Sequence, residues 1–183
     1  VGVCNTTTLG RRDARYDWTT AFDYWRTCRQ LTFEFAFDGT VNPGDSVWGL
    51  NEVFRFYRNG EGQWLLSFLT APLDDVRPVG TPRSISVHPG AENGTPHKMR
   101  IAINLETGAF SASDRGADMT PDLMGSPFAG TYLFPNFQGW PFYLGHIFDS
   151  TPRNASVPNL NFYGFRVSNA YKSEPVSNRD AER

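Results

Sequence analysis

"FYGFRVSNA", residues 162–170, stands late in the sequence, and how it is read decides the fold. Tyr163, Phe165 and Val167 alternate with Gly164, Arg166 and Ser168. This is the period-two pattern of a strand with one apolar face. Such a strand needs a sheet to join and a second layer to cover its apolar side. The expectation is that residues 162–170 return to pair beside early strands and seal a core.

The earlier sequence supplies those partners. In "LTFEFAFDG", Leu31, Phe33, Phe35 and Phe37 alternate with Thr32, Glu34, Ala36 and Asp38, and "NPGD" (42–45) ends the strand with a turn. "EVFRFYRNGEGQWLLSFL" reads as two strands joined through Asn59-Gly60-Glu61-Gly62. "SISVH" (84–88) is a short strand. "HKMRIAINLETGAFSAS" is the clearest hairpin: Met99, Ile101 and Ile103 form one face, and Glu106-Thr107-Gly108 make the turn. A one-residue slip there puts the Met and Ile face in water, so its register is firm. Residues 114–141 read mostly as loop, with a short strand at "TYLF", and "FYLGHIF" (142–148) reads as a strand. The organisation expected is an N-terminal segment 1–30 packed on the domain, a sandwich domain 31–172, and a polar tail or linker 173–183. No amphipathic pattern supports a helix beyond two turns.

Composition agrees. The 183 residues include 15 Phe, 7 Tyr, 5 Trp, 17 Gly and 13 Pro, a mix that favours strands and turns over helices. The net charge of −2, with no basic run, argues against nucleic acid as a partner. No apolar stretch approaches the length of a membrane-spanning helix. Cys4 and Cys28 are expected to form a disulfide, which in the chain-entropy model contributes about 3 kcal/mol. Sequons at Asn5, Asn93 and Asn154 fall between expected strands, where a glycan is carried on the surface. Together these suggest a secreted, extracellular glycoprotein.

In order, "LTFEFAF", "WLLSFL", "HKMRIAINLETGAFSAS", "PFYLGHIF" and "NFYGFRVSNAYKS" resemble the laminin-G-like branch of the concanavalin A-like jelly rolls. The likeness rests on His97 to Ala112, Phe142 to Gly145 and Gly164 to Asn169, and spans residues 31–172. It implies an all-β, two-sheet antiparallel jelly-roll sandwich. It does not fix a function, since this fold carries sugar binders, adhesion modules, hydrolases and lyases.

Catalysis is not expected. Retaining glycosidases need two carboxyls about 5–5.5 Å apart, and related jelly rolls carry them in a pattern resembling E-x-D-x-x-E. Here Glu34 and Asp38 lack a third acid; Glu52, on a neighbouring strand, could complete a pair with Glu34, but both glutamates read as solvent-facing strand residues. His88, His97 and His146 lie in no recognisable arrangement with Arg and Tyr, and His97 reads as a packing or hydrogen-bonding residue. No cofactor is expected, although relatives suggest Ca²⁺ at a sheet rim, with Asp38 and Asp149 as the candidates ahead of Asp45, Asp74 and Asp75. Carbohydrate binding calls for exposed aromatic faces beside polar groups. Trp48 and Trp140, in Gly-flanked stretches, and Trp64, at the start of a strand, are the candidate ligand-binding residues, whereas Trp18 and Trp25 belong with the N-terminal segment. The function expected is a non-catalytic module binding carbohydrate or an extracellular protein. The alternatives are a self-assembling structural or adhesion subunit and, after it, a glycoside hydrolase or polysaccharide lyase.

Overall fold

The computed structural model describes residues 4–5, 15–16, 29–50, 54–74, 80–90, 94–133, 142–144 and 159–174. Its elements in chain order are β1 (Cys4–Asn5), β2 (Arg15–Tyr16), β3 (Gln30–Thr40), β4 (Ser46–Leu50), β5 (Phe54–Arg58), β6 (Trp64–Pro72) and β7 (Thr81–Ser86). There follow β8 (His97–Asn104), β9 (Ala109–Asp114), β10 (Ala117–Asp118), β11 (Thr131–Leu133), β12 (Phe142–Leu144) and β13 (Asn159–Ser168). One antiparallel sheet, here sheet A, runs β1-β13-β3-β8-β9-β10; the other, sheet B, runs β11-β6-β5-β4-β12-β2, with β7 also paired to β6. The chain passes from sheet A into sheet B after β3, returns at β8, crosses again at β11, and closes on sheet A with β13. This is the two-sheet jelly-roll sandwich. Among the described residues no helix is long and apolar enough to cross a membrane.

The inward sides of the alternating strands form one core. Phe33, Phe35 and Phe37 of β3, Met99, Ile101 and Ile103 of β8, Phe54 and Phe56 of β5, and Trp64, Leu66 and Phe68 of β6 are all buried within it. Burying side chains of this kind stabilises by about 1.5–3 kcal/mol each. At the centre is Trp48, fully buried, its ring stacked on Phe33 at 4.9 Å and edge-on to Phe35, Phe54 and Phe165 at 5.5, 5.6 and 5.4 Å. The stretch read as a Gly-flanked loop is strand β4, with a register irregularity between Ser46 and Trp48 that lets both Val47 and Trp48 go inward. Burial of so large a ring outweighs the local turn signals. Trp64 is buried too, stacked on Phe56 at 5.4 Å. Neither tryptophan offers a face to a ligand, and that expectation is corrected for both.

The closing strand pairs with β3 along its length, from Asn159 opposite Thr40 to Ser168 opposite Thr32. Its pattern differs from strict alternation in one place. Between Phe162, opposite Phe37, and Gly164, opposite Ala36, Tyr163 is an extra residue. This β-bulge changes the phase. Leu160 and Phe162 are buried before it, Phe165 and Val167 pack on the core after it, and Tyr163 is 38% exposed on the outside. The expected inward position of Tyr163 is therefore corrected.

A buried polar cluster ties the loop after β7 to the end of β9. His97 Nδ1 donates to Asp114 at 2.8 Å, both side chains being essentially inaccessible, and Lys98 N and Gly90 N donate to the same carboxylate at 2.9 and 3.1 Å. Burial pushes the Asp114 carboxyl up, but the hydrogen bonds from His97 and Lys98 N and the nearby Arg115 outweigh it, leaving the pKa below the usual 3.8. A depressed carboxylate pKa stabilises the fold above the unfolded value, and that contribution is lost as pH falls through the folded one. Two outcomes are expected. Thermal unfolding of Asp114→Asn should begin from a lower temperature at neutral pH and decline less steeply below pH 3.8 than the parent; parallel declines would contradict this role. Truncation after Asn161 should give insoluble protein, whereas truncation after Glu174 should keep one cooperative transition; equal melting of both forms would contradict the part given to β13.

Candidate functional site

The outward side of sheet A divides into a covered half and an open half. Beyond β13 the chain bends back as a strap, residues 169–174. Thr32 Oγ1 donates to Ala170 O at 2.6 Å and accepts from Lys172 N at 3.1 Å, while Tyr171 N donates to Gln30 Oε1 at 3.3 Å. Arg100 Nη1 donates to Glu174 O. Thr32 and Ala102 have the outward phase of β3 and β8, yet both are fully buried beneath this strap.

The other half holds the residues of chemical interest. Gly164 and Ala36 lie opposite each other and make a low floor; a Cβ on Gly164 would meet nothing within 4 Å. On one side stands Tyr163, lifted out by the bulge. Its hydroxyl donates to Asp38, whose other oxygen accepts from Asn161 Nδ2 at 2.7 Å. The bond to Asp38 and its negative charge raise the Tyr163 phenol above its usual 10.0. On the other side is Glu34, not the solvent-facing acid read from the sequence but a half-buried one. Arg100 Nε and Nη2 reach Glu34 Oε1 at 3.1 and 2.6 Å, and Arg166 Nε and Nη2 reach Oε2 at 2.6 and 2.5 Å. Burial pushes Glu34 up, and the two guanidinium groups more than offset it, so its carboxyl lies below the usual 4.5. Lys98, opposite Ala36, rims the floor.

Other tyrosine rings are less available. Tyr57, on sheet B, is capped by the Arg55 guanidinium at 3.9 Å, and the buried Tyr132 lies under Arg29 at 5.5 Å. Among the residues whose side chains are described, Tyr163 is the one large aromatic that stands clearly exposed.

The site residues read from the sequence fall as follows. Trp48 and Trp64 are core. Asp38 lies in the open half, but hydrogen-bond donors face its carboxylate, which suits an anion's neighbours and not a Ca²⁺ shell of further oxygens. Among the described residues no three His, Cys, Asp or Glu gather as metal ligands. Asp45 is buried and accepts from Asn42 N at 2.9 Å, a turn role; Asp74 is exposed at the end of β6. His97 is the packing and hydrogen-bonding residue expected, stacked on Phe37 at 4.9 Å, and His88 is exposed with Nδ1 2.7 Å from Pro89 O. Trp140, Asp149, Glu52, Asp75, His146, Trp18, Trp25, Cys28, Asn93 and Asn154 lie outside the described residues. Of Cys4 and Asn5 the backbone alone is described, with Asn5 opposite Asn161. Tyr163, Asn161 and Arg166 were missed as site residues. The parity change from Leu160 and Phe162 to Phe165 and Val167 is the signal that finds the bulge.

No protein-family model and no curated protein sequence matches the chain. Solved structures do. The CBM40 module of the Ruminococcus gnavus IT-sialidase, bound to α2,3-sialyllactose, is 11% identical over 87% of this chain and 86% of its own, with a TM-score of 0.54. A candidate carbohydrate-binding protein from Bacteroides ovatus is 11% identical over 79% of this chain and 38% of its own, with a TM-score of 0.50. The heptameric SAP-like pentraxin of Limulus polyphemus is 14% identical over 79% of this chain, with a TM-score of 0.49; this chain spans 66% of it. At such identities the likeness is one of fold, a concanavalin A-like sandwich.

Difference absorbance titration of the parent against Tyr163→Phe should isolate a phenol ionising above 10.0, and Asp38→Asn should bring it down. An unchanged titration in Asp38→Asn would contradict the pairing.

Proposed function

We propose that the chain is a non-catalytic carbohydrate-binding module that holds its ligand on the open half of sheet A. The observation that carries this reading is Tyr163: an exposed ring, lifted by a bulge beside a bare glycine floor, with Asp38 and Asn161 alongside. Sugar rings present an apolar face that stacks on aromatic rings, and hydroxyls that pair with carboxylate and amide groups. Asp38 accepts and Asn161 both donates and accepts, which is the complement of adjacent hydroxyls. The fold likeness to the Ruminococcus module and the Bacteroides protein, both carbohydrate-binding by their descriptions, supports the same reading.

The non-catalytic part of the proposal is supported by Glu34. A glycosidase's general acid needs a raised pKa, whereas Glu34 is held ionised by two arginines. The proposal extends to a laminin-G-like type of module, on the motifs of residues 97–112, 142–145 and 164–169, and to an extracellular location, on the three sequons.

An array of neutral and charged oligosaccharides should retain the protein. Tyr163→Ala should lose about tenfold or more of the affinity, on the order of one aromatic stacking contact, with the unfolding temperature little changed. A silent array together with concentration-dependent assembly in sedimentation would replace this reading with that of a structural subunit.

A further inference from the structure

The open half of sheet A is chemically polarised. At one end Asp38 and Asn161 offer an acceptor-rich pair. At the other, Arg100, Arg166 and Lys172 converge on the single carboxylate of Glu34, at 2.6, 2.5 and 3.9 Å. Three cations on one acid leave a local excess of positive charge, in a chain whose net charge is −2. From the strap, Glu174 meets Arg100 through its main-chain carbonyl.

Arg166 is the group able to use that excess. A guanidinium has five N–H donors, and Nε and Nη2 are engaged with Glu34. The side chain is 66% exposed, so the remaining donors face solvent. Glu34 also fixes the plane of the fork, so little freedom is lost when a second oxyanion docks against it. Arg166 is two residues beyond Gly164, about 7 Å along the strand, on the same side of the sheet. A sugar ring over Tyr163 and the Gly164–Ala36 floor therefore extends toward it.

We infer that this face selects glycans bearing an oxyanion, a carboxylate or a sulfate ester, seated on Arg166 while neutral hydroxyls of the same or the adjoining ring meet Asp38 and Asn161. The inference rests on the carbohydrate-binding reading and adds to it a ligand class and a direction. Asp38 repels the charged group, so the ligand lies one way round. Glu34 is a positioning residue: it acts through Arg166 and touches no ligand.

The test is an array of tetrasaccharides built on glucose, galactose and N-acetylhexosamine, each printed in neutral, uronic-acid and O-sulfated forms. The intact chain should retain charged members at least tenfold better than their neutral counterparts, with the preference shrinking as salt rises. Retention of uronic forms alone identifies a carboxylate ligand and of sulfated forms alone a sulfate ligand; either supports the inference. Arg166→Met should bring the charged and neutral forms to parity, and Arg166→Lys should restore part of the preference. Equal retention of neutral and charged forms by the parent, or a preference that survives Arg166→Met, overturns the inference and leaves carbohydrate binding standing. Retention of no tetrasaccharide overturns both.

Discussion

The antiparallel ladder between β3 and β13 is the constraint on which both core and surface depend. Its inward side brings Phe165 against Trp48 and Phe162 near Phe37, so the last strand described completes a core begun by the first long one. Its outward side sets Arg166 opposite Glu34 and Gly164 opposite Ala36. One extra residue decides the character of the outward side. Without the bulge, one phase of β13 would carry Phe165 and Val167 into water, and the other would carry Leu160 and Phe162 out and turn the Tyr163 phenol inward. With it, every large apolar side chain of the strand reaches the core, and the one amphipathic ring is left outside.

The outward face shows how a polar surface becomes selective. Half of it is closed by the strap, whose main-chain groups pair with Thr32 and Gln30 and bury Ala102. The rest stays open, because Gly164 and Ala36 are too small to fill it and the long side chains beside them are tied sideways. Arg100 and Arg166 are drawn to Glu34, Tyr163 to Asp38. Surface ion pairs usually contribute at most about 1 kcal/mol to stability. The value of this network is geometric: it fixes guanidinium and phenol where they can meet a ligand without further ordering.

Much of the fold was legible because period-two patterning is local. The hairpin at His97 to Ala112, the Asn59 to Gly62 turn and the alternation of β3 each follow from neighbouring residues, and each is where it was read. The candidate site was far less legible. Trp48 looked exposed because glycine and aspartate flank it, and its contacts with Phe33 and Phe165, on strands that lie apart from it in sequence, explain its burial. Glu34 looked solvated because its partners are 66 and 132 residues away. The hold of the strap on β3 was not legible, because main-chain hydrogen bonds leave no mark on composition. The bulge is the exception. Leu160 and Phe162 stand in one parity and Phe165 and Val167 in the other, and two buried runs out of phase on one strand require an extra residue between them.

The most direct test of this account is amide hydrogen exchange across β13, resolved residue by residue. Amides of Phe162, Phe165 and Val167 should be protected to the same degree as those of Phe33, Phe35 and Met99, with faster exchange confined to the bulge at Tyr163 and Gly164. Uniformly rapid exchange from Asn159 to Ser168, with β3 and β8 still protected, would show that the sandwich stands without its closing strand, contradicting the central claim.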